Sequence, residues 1–136
     1  MVYVLDANVI IHYLKEHDGV KKHLRQAVYN GCELFVPRVV DYEVRRGLEL
    51  LSATKKAAVY STLLDPAGQC KIVDMGECVW EFAKQIYVSL KRMGFTVGEI
   101  DIIIGAYCLQ HDYTLVTSNV KDFKNMNGLK ILNWWV

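Results

Sequence analysis

Three acidic residues occupy positions where an ionisable side chain is costly to bury. Asp6 ends the apolar run VYVL near the N-terminus. Glu43 shares a helical face with Val39 and Gly47, its i−4 and i+4 neighbours. Asp101 stands near the start of IDIIIGAYCLQ, a segment apolar almost all round. Two carboxylates about 5 Å apart repel by roughly 3 kcal/mol at an effective dielectric near 20. Three gathered in one pocket therefore take up protons or recruit a cation. An oxygen-only donor set suits a hard ion such as Mg²⁺ or Mn²⁺, which keeps several waters and bridges readily to phosphate oxygens. Such an ion can present a water or hydroxide to a phosphodiester and stabilise the leaving oxygen. Metal-assisted phosphoryl chemistry is what these residues point to.

Rival chemistries lack their residues. There is no G-x-x-x-x-G-K-[ST] or G-x-G-x-x-G, so a glycine-rich phosphate cradle is unsupported. No Ser-His-Asp or Cys-His arrangement competes, and Cys32, Cys70, Cys78 and Cys108 lack zinc-type spacing. Reduced thiols packed in a cytoplasmic core are the expectation for all four. Each acid also has a structural role open to it. Asp6 can cap the helix that follows, Glu43 can pair with Arg46, and Asp101 can complement a helix N-terminus. Glu99 fits the reciprocal member of a capping box with Thr96. Asn119 is a natural turn residue and Asp122 a natural surface acid.

The elements that must position these residues follow from the hydrophobic period. YVLD reads as a buried strand ending near Leu5 or Asp6, followed by a helix over roughly Val9 to Glu16. Asp18 looks like the N-cap of a second helix, which Gly31 stops. ELFV is the next strand, closed by Pro37, and a helix carrying Val39 to Leu51 follows. A helix over Lys55 to Leu64 breaks at DPAG, and KIVD is the third strand. Val79, Trp80, Ala83, Ile86, Tyr87 and Leu90 then share one helical face before Gly94. The capping box Thr96 to Glu99 leads into the buried helix, with TLVTS and LKIL as the last strands. Strands alternating with helices predict an α/β fold whose parallel sheet of four or five strands is covered on both faces. Ligands of such sheets bind beyond the carboxyl ends of the strands. Asp6, Glu43, Asp101 and Asn119 all fall near those ends.

The 136 residues predict one domain with its own core, and 52% hydrophobic residues exclude a disordered polar chain. Sixteen basic against fifteen acidic residues leave a net charge of +1. Any nucleic-acid contact must then come from a local patch. No apolar segment is long enough to span a bilayer, so the sequence predicts a soluble, cytoplasmic protein.

The ordered segments VLDANVII, VPRVVDYEVRRGLE, GEIDIIIGAYC and LVTSNVKDF resemble those of PIN domains, and more narrowly of VapC-type ribonuclease toxins from toxin–antitoxin pairs. The similarity runs over the full length. It implies a three-layer sandwich around a parallel sheet and a Mg²⁺- or Mn²⁺-dependent endoribonuclease site. By position, Asp6, Glu43 and Asp101 correspond to the three acids that define that site. Asn8 and Thr117 correspond to polar residues that line it. Asn119 falls where many members carry a fourth acid; Asp122 can substitute if the loop folds inward. The resemblance also implies a homodimer, an RNA substrate and an inhibiting antitoxin protein. Arg38, Arg45, Arg46, Lys91, Arg92, Lys121 and Lys124 are candidate contacts to the RNA backbone, and Trp134 and Trp135 are expected to pack the C-terminus down.

Two alternatives stand beside this one. A catalytically weak PIN-like module would bind RNA or protein only, and Asn119 is the feature that favours it. A haloacid-dehalogenase-type phosphatase also ends its first strand in an Asp. That chemistry wants a second carboxylate where Asn8 stands, and a late acid pair that the sequence lacks.

Overall fold

A computed structural model describes residues 1–64 and 68–135. The break expected at DPAG falls largely on residues 65–67, outside the described residues. Five parallel strands form one sheet: β1 (Val2–Leu5), β2 (Glu33–Pro37), β3 (Cys70–Val73), β4 (Thr114–Val116) and β5 (Lys130–Leu132). Their spatial order is β3-β2-β1-β4-β5. The chain starts at the centre, winds outward through β2 and β3, then returns to the other side of β1. Strand order therefore reverses between β1 and β4, which is where open parallel sheets make their ligand crevice.

Helices α1 (Ala7–Leu14), α2 (Asp18–Tyr29), α3 (Arg38–Leu50) and α4 (Thr54–Leu64) join the first three strands and pack together. Helices α5 (Cys78–Arg92) and α6 (Glu99–His111) lead from β3 to β4, α7 (Val120–Phe123) leads from β4 to β5, and the three form a second group. Right-handed crossovers put the two groups on opposite faces of the sheet. Val4, Leu5, Val36, Leu115 and Val116 are buried between those layers. Near-continuous apolar strands are the signature of a sheet covered on both sides. Among the described residues, no helix is long and apolar enough to cross a membrane.

Several local expectations need correction. The first helix begins at Ala7, because Asp6 caps it directly, and ends at Leu14 rather than Glu16, which has a positive φ of 62°. The cap of α2 is His17, not Asp18: its Nδ1 accepts the Val20 N–H at 3.2 Å. No capping box forms over 96–99; Gly98 is the N-cap of α6 and supplies no side chain. Trp80 and Tyr87 do not join Val79 and Ala83 inside but stand exposed on α5. Of the four free thiols, Cys70 and Cys108 are buried and Cys32 partly so, while Cys78 is exposed. The C-terminus is packed down as expected. Trp134 is buried edge-on to Tyr3 and stacked on His23, and Trp135 lies against His12 and His17.

Candidate active site

Asp6, Asp41 and Thr117 are the buried polar residues of the described chain, and two of them meet at the switch point. Asp6 still donates its backbone N–H to Val116 O at 3.0 Å, so the sheet ladder fixes its Cα. Its Oδ1 accepts the Ala7 N–H at 2.8 Å, which makes it the N-cap of α1. Its Oδ2 accepts the Thr117 hydroxyl at 2.8 Å and the Asn8 amide at 3.2 Å. The capping role and a site role are thus compatible, since each uses a different oxygen.

Asn8 and Thr117 bind the two central strands' ends together. Asn8 Nδ2 also donates to Thr117 Oγ1 at 3.1 Å, and Asn8 Oδ1 accepts the Ser118 N–H at 3.1 Å. Thr117 Oγ1 accepts the Asn119 N–H at 3.0 Å. Asn119 in turn donates its side-chain amide to Asp122 Oδ2 at 2.6 Å. The loop after β4 therefore folds back so that an amide, not a fourth acid, holds Asp122.

Charge links the remaining acids to this network. Burial raises the Asp6 carboxyl, partly offset by the Thr117, Ala7 and Asn8 hydrogen bonds. Glu43 is raised by burial and then by the negative field of Asp6, while Arg46 pulls it back. Asp101 is pushed up to about 6, first by burial and then by Asp6, Asp122 and Glu43. Four carboxylates from four elements thus share one electrostatic neighbourhood. They do not close into a cage: among the described residues, no three His, Cys, Asp or Glu side chains are gathered tightly enough to hold an ion unaided. The donor set nevertheless fits a hard divalent cation by its chemistry. It is all oxygen, anionic and self-repelling, and Mg²⁺ retains waters that reach ligands beyond direct contact.

The remaining candidates are dispersed, and of these Arg46 alone shifts an acid of that neighbourhood. Glu99 is exposed and lines a groove of about 360 Å³ with Trp80, Tyr87 and Ile103. Arg38 pairs with Asp74 at 3.0 Å, Arg46 lies over the Tyr42 ring and Lys91 over the Tyr87 ring. Lys121 and Lys124 are exposed around α7, and Arg92 is exposed at the end of α5. Arg45 Nε is committed to Asp41 at 2.8 Å. Sequence reasoning missed Asp41. Its i,i+4 spacing to Arg45 was visible, but its other partner, Tyr60, lies nineteen residues away and carries no local signal.

The PIN domain family profile matches residues 3–129. Ribonuclease VapC2 of Rickettsia felis is 26% identical over 98% of both chains. The tRNA(fMet)-specific endonuclease VapC of Salmonella typhimurium is 23% identical over 97% of both. A crystal structure of Rickettsia felis VapBC2, bound to a DNA fragment from its promoter, superposes with a TM-score of 0.84. It is 22% identical, over 98% of this chain and 99% of that one.

Proposed function

The chain belongs to the PIN domain family, and from that premise we propose that it is a metal-dependent endoribonuclease, the VapC-type toxin of a toxin–antitoxin pair. The observation that carries the reading is the shared field of Asp6, Glu43, Asp101 and Asp122 beside the β1–β4 switch point. Net negative charge there repels an RNA backbone unless a cation intervenes. Asp6, Glu43 and Asp101 are the residues that would hold Mg²⁺ or Mn²⁺, with Asp122 as a fourth oxygen donor. When bound, the ion would lower the pKa of a water and take up charge on the phosphoryl oxygens.

The chain's own residues do the rest. Asn8 and Thr117 fix the Asp6 carboxylate by hydrogen bonds, so it need not reorient as charge develops opposite it. Asn119 restrains Asp122 in the same way. Asp101, pushed up to about 6, gives up its proton just below neutral pH, so an arriving cation meets it largely as the anion. Arg38, Arg46 and Lys121 are exposed cations available to RNA phosphates. The relatives' names and complexes support an antitoxin partner. The exposed Trp80 and Tyr87, flanking Ile103, offer apolar surface for a second copy of the chain.

Replacing Asp101 by Asn is expected to abolish Mn²⁺-dependent RNA cleavage with an unchanged circular dichroism spectrum. Undiminished cleavage by the folded variant refutes the assignment. A binding-only module is the second reading, favoured by the absence of a ready cage among the described residues and by the amide at Asn119. Titrating Mn²⁺ into the purified protein separates the two, because a binding-only module need take up no ion.

A further inference from the structure

Asp41 is the one buried acid of the described chain that the site does not use. It accepts the Tyr60 hydroxyl from α4 at 2.7 Å and the Arg45 Nε at 2.8 Å. The Arg45 guanidinium then lies 5.4 Å from the centre of the Tyr60 ring, closing a three-residue brace. Tyr60 is 1% exposed, so its hydroxyl has no water to turn to. Arg45 belongs to α3 itself, so the Tyr60 hydroxyl is the donor that ties Asp41 to another helix, and a hydrogen bond to a buried carboxylate is directional in a way that apolar packing is not.

The brace sits on the same helix as Glu43. At 100° per residue, the stripe that α3 buries runs through Val40 and Val44, both buried, and on to Leu48. Asp41 lies on one flank of that stripe and Glu43 on the other, about 160° apart. No hydrogen bond between the Glu43 side chain and any described residue fixes its place; what it feels is the field of Asp6 and Arg46. The rotation of α3 about its own axis sets the direction of the Glu43 Cα–Cβ bond, and with it the region its carboxylate can reach.

We propose that Asp41, tied to Tyr60 and Arg45, is a positioning residue: the brace locks the roll of α3 and thereby aims Glu43 at the acidic site. The proposal rests on the nuclease reading for its functional consequence, but not for its geometry. Side chains reach about 5–6 Å from a helix axis, so a roll of about 10° moves a carboxylate by about 1 Å. Misplacement of that size costs on the order of 100-fold in rate. Arg45, on this account, braces the helix from within the protein and is not free to grip RNA through Nε.

Tyr60→Phe tests it, since the ring stays and only the hydroxyl leaves. The expected results are a crystal structure with Glu43 displaced by about 1 Å, Mn²⁺ affinity lowered about tenfold by calorimetry, and kcat for RNA lowered at least tenfold with KM within twofold. Leu63→Val, which loosens α4 at another buried position, should lower the melting temperature and leave all three unchanged. A Tyr60→Phe structure with α3 and Glu43 unmoved overturns the proposal. Equal losses in Leu63→Val also overturn it, because general loosening would then suffice. If the wild type takes up no Mn²⁺ and cuts no RNA, the nuclease reading fails, while a displaced Glu43 in the Tyr60→Phe structure still upholds the brace.

Discussion

Removing one negative charge from the acidic neighbourhood should make the ion-free protein more stable. Asp101 is held at about 6 against an ordinary 3.8. That gap corresponds to about 3 kcal/mol of strain on its charged form. Asp101 is half-buried, so solvent screening reduces the figure to about 1–2 kcal/mol. The sign follows from proton counting. The folded protein keeps a proton on Asp101 where the unfolded chain has lost it, so stability falls as pH rises from about 4 to about 6. Above that range the whole deficit is present. Asn carries no charge at any pH, so Asp101→Asn escapes the deficit and also relieves Glu43 and Asp6.

Thermal melts in EDTA at pH 4.0 and 7.5 read this directly. At pH 7.5 the variant should melt about 4–8 °C above the wild type, taking about 4 °C per kcal/mol for a chain of this size. At pH 4.0 the two should nearly coincide. Excess Mn²⁺ at pH 7.5 should close or reverse the gap, since a ligand that binds only the folded state raises its stability by RT ln(1 + [L]/Kd). A variant no more stable than the wild type at pH 7.5, or a gap of equal size at both pH values, refutes the electrostatic account of the site.

Further outcomes follow from the same geometry. Thr117→Val keeps the volume but takes one donor from Asp6 and the shared acceptor from the Asn119 N–H and the Asn8 amide. It should cost about 2–3 kcal/mol in urea denaturation, as expected when buried partners of a charge are left short. Asn119→Asp replaces the donor 2.6 Å from Asp122 by a like charge. It should lower the melting temperature in EDTA, raise Mn²⁺ affinity in calorimetry, and regain stability once the ion is added. Gly105→Ala would drive a methyl group into the Met126 side chain. It should cost about 1–3 kcal/mol, and the double variant Gly105→Ala, Met126→Ala should lose less than the sum of the two single variants.

How much of this was legible in the sequence depends on the range of the interaction involved. Strand and helix order followed from period and punctuation, because Gly31 and Gly94 sit at positive φ just past the helices they stop. The three acids stood out because each broke an apolar pattern, which is a local fact. What failed was equally local but finer. Asp18 looks like the better cap by residue type, yet the turn places the His17 ring nitrogen on the Val20 N–H. Thr96 and Glu99 have the right spacing for a capping box, yet α6 starts two residues too late for Thr96 to be its cap. Trp80 sits at helical spacing with Val79 and Ala83, but the stripe that α5 buries is narrower than its apolar surface. Asp41 escaped because its partner belongs to another helix, and no periodicity encodes a contact between elements.

Asp6 shows that a structural role leaves room for a chemical one. A helix cap requires one carboxylate oxygen on a backbone N–H; a metal site requires the other oxygen held rigidly and kept charged. Thr117 and Asn8 supply the second condition by donating to Oδ2, and these bonds favour the anion against the burial that opposes it. A cap alone would leave Oδ2 to solvent, and burying it beneath two side-chain donors is unnecessary for starting α1. The Oδ2 contacts also join β1 to β4 across the point where strand order reverses, so the residues that hold the anion close the crevice floor. Fold and site are fixed there by the same three hydrogen-bonded side chains.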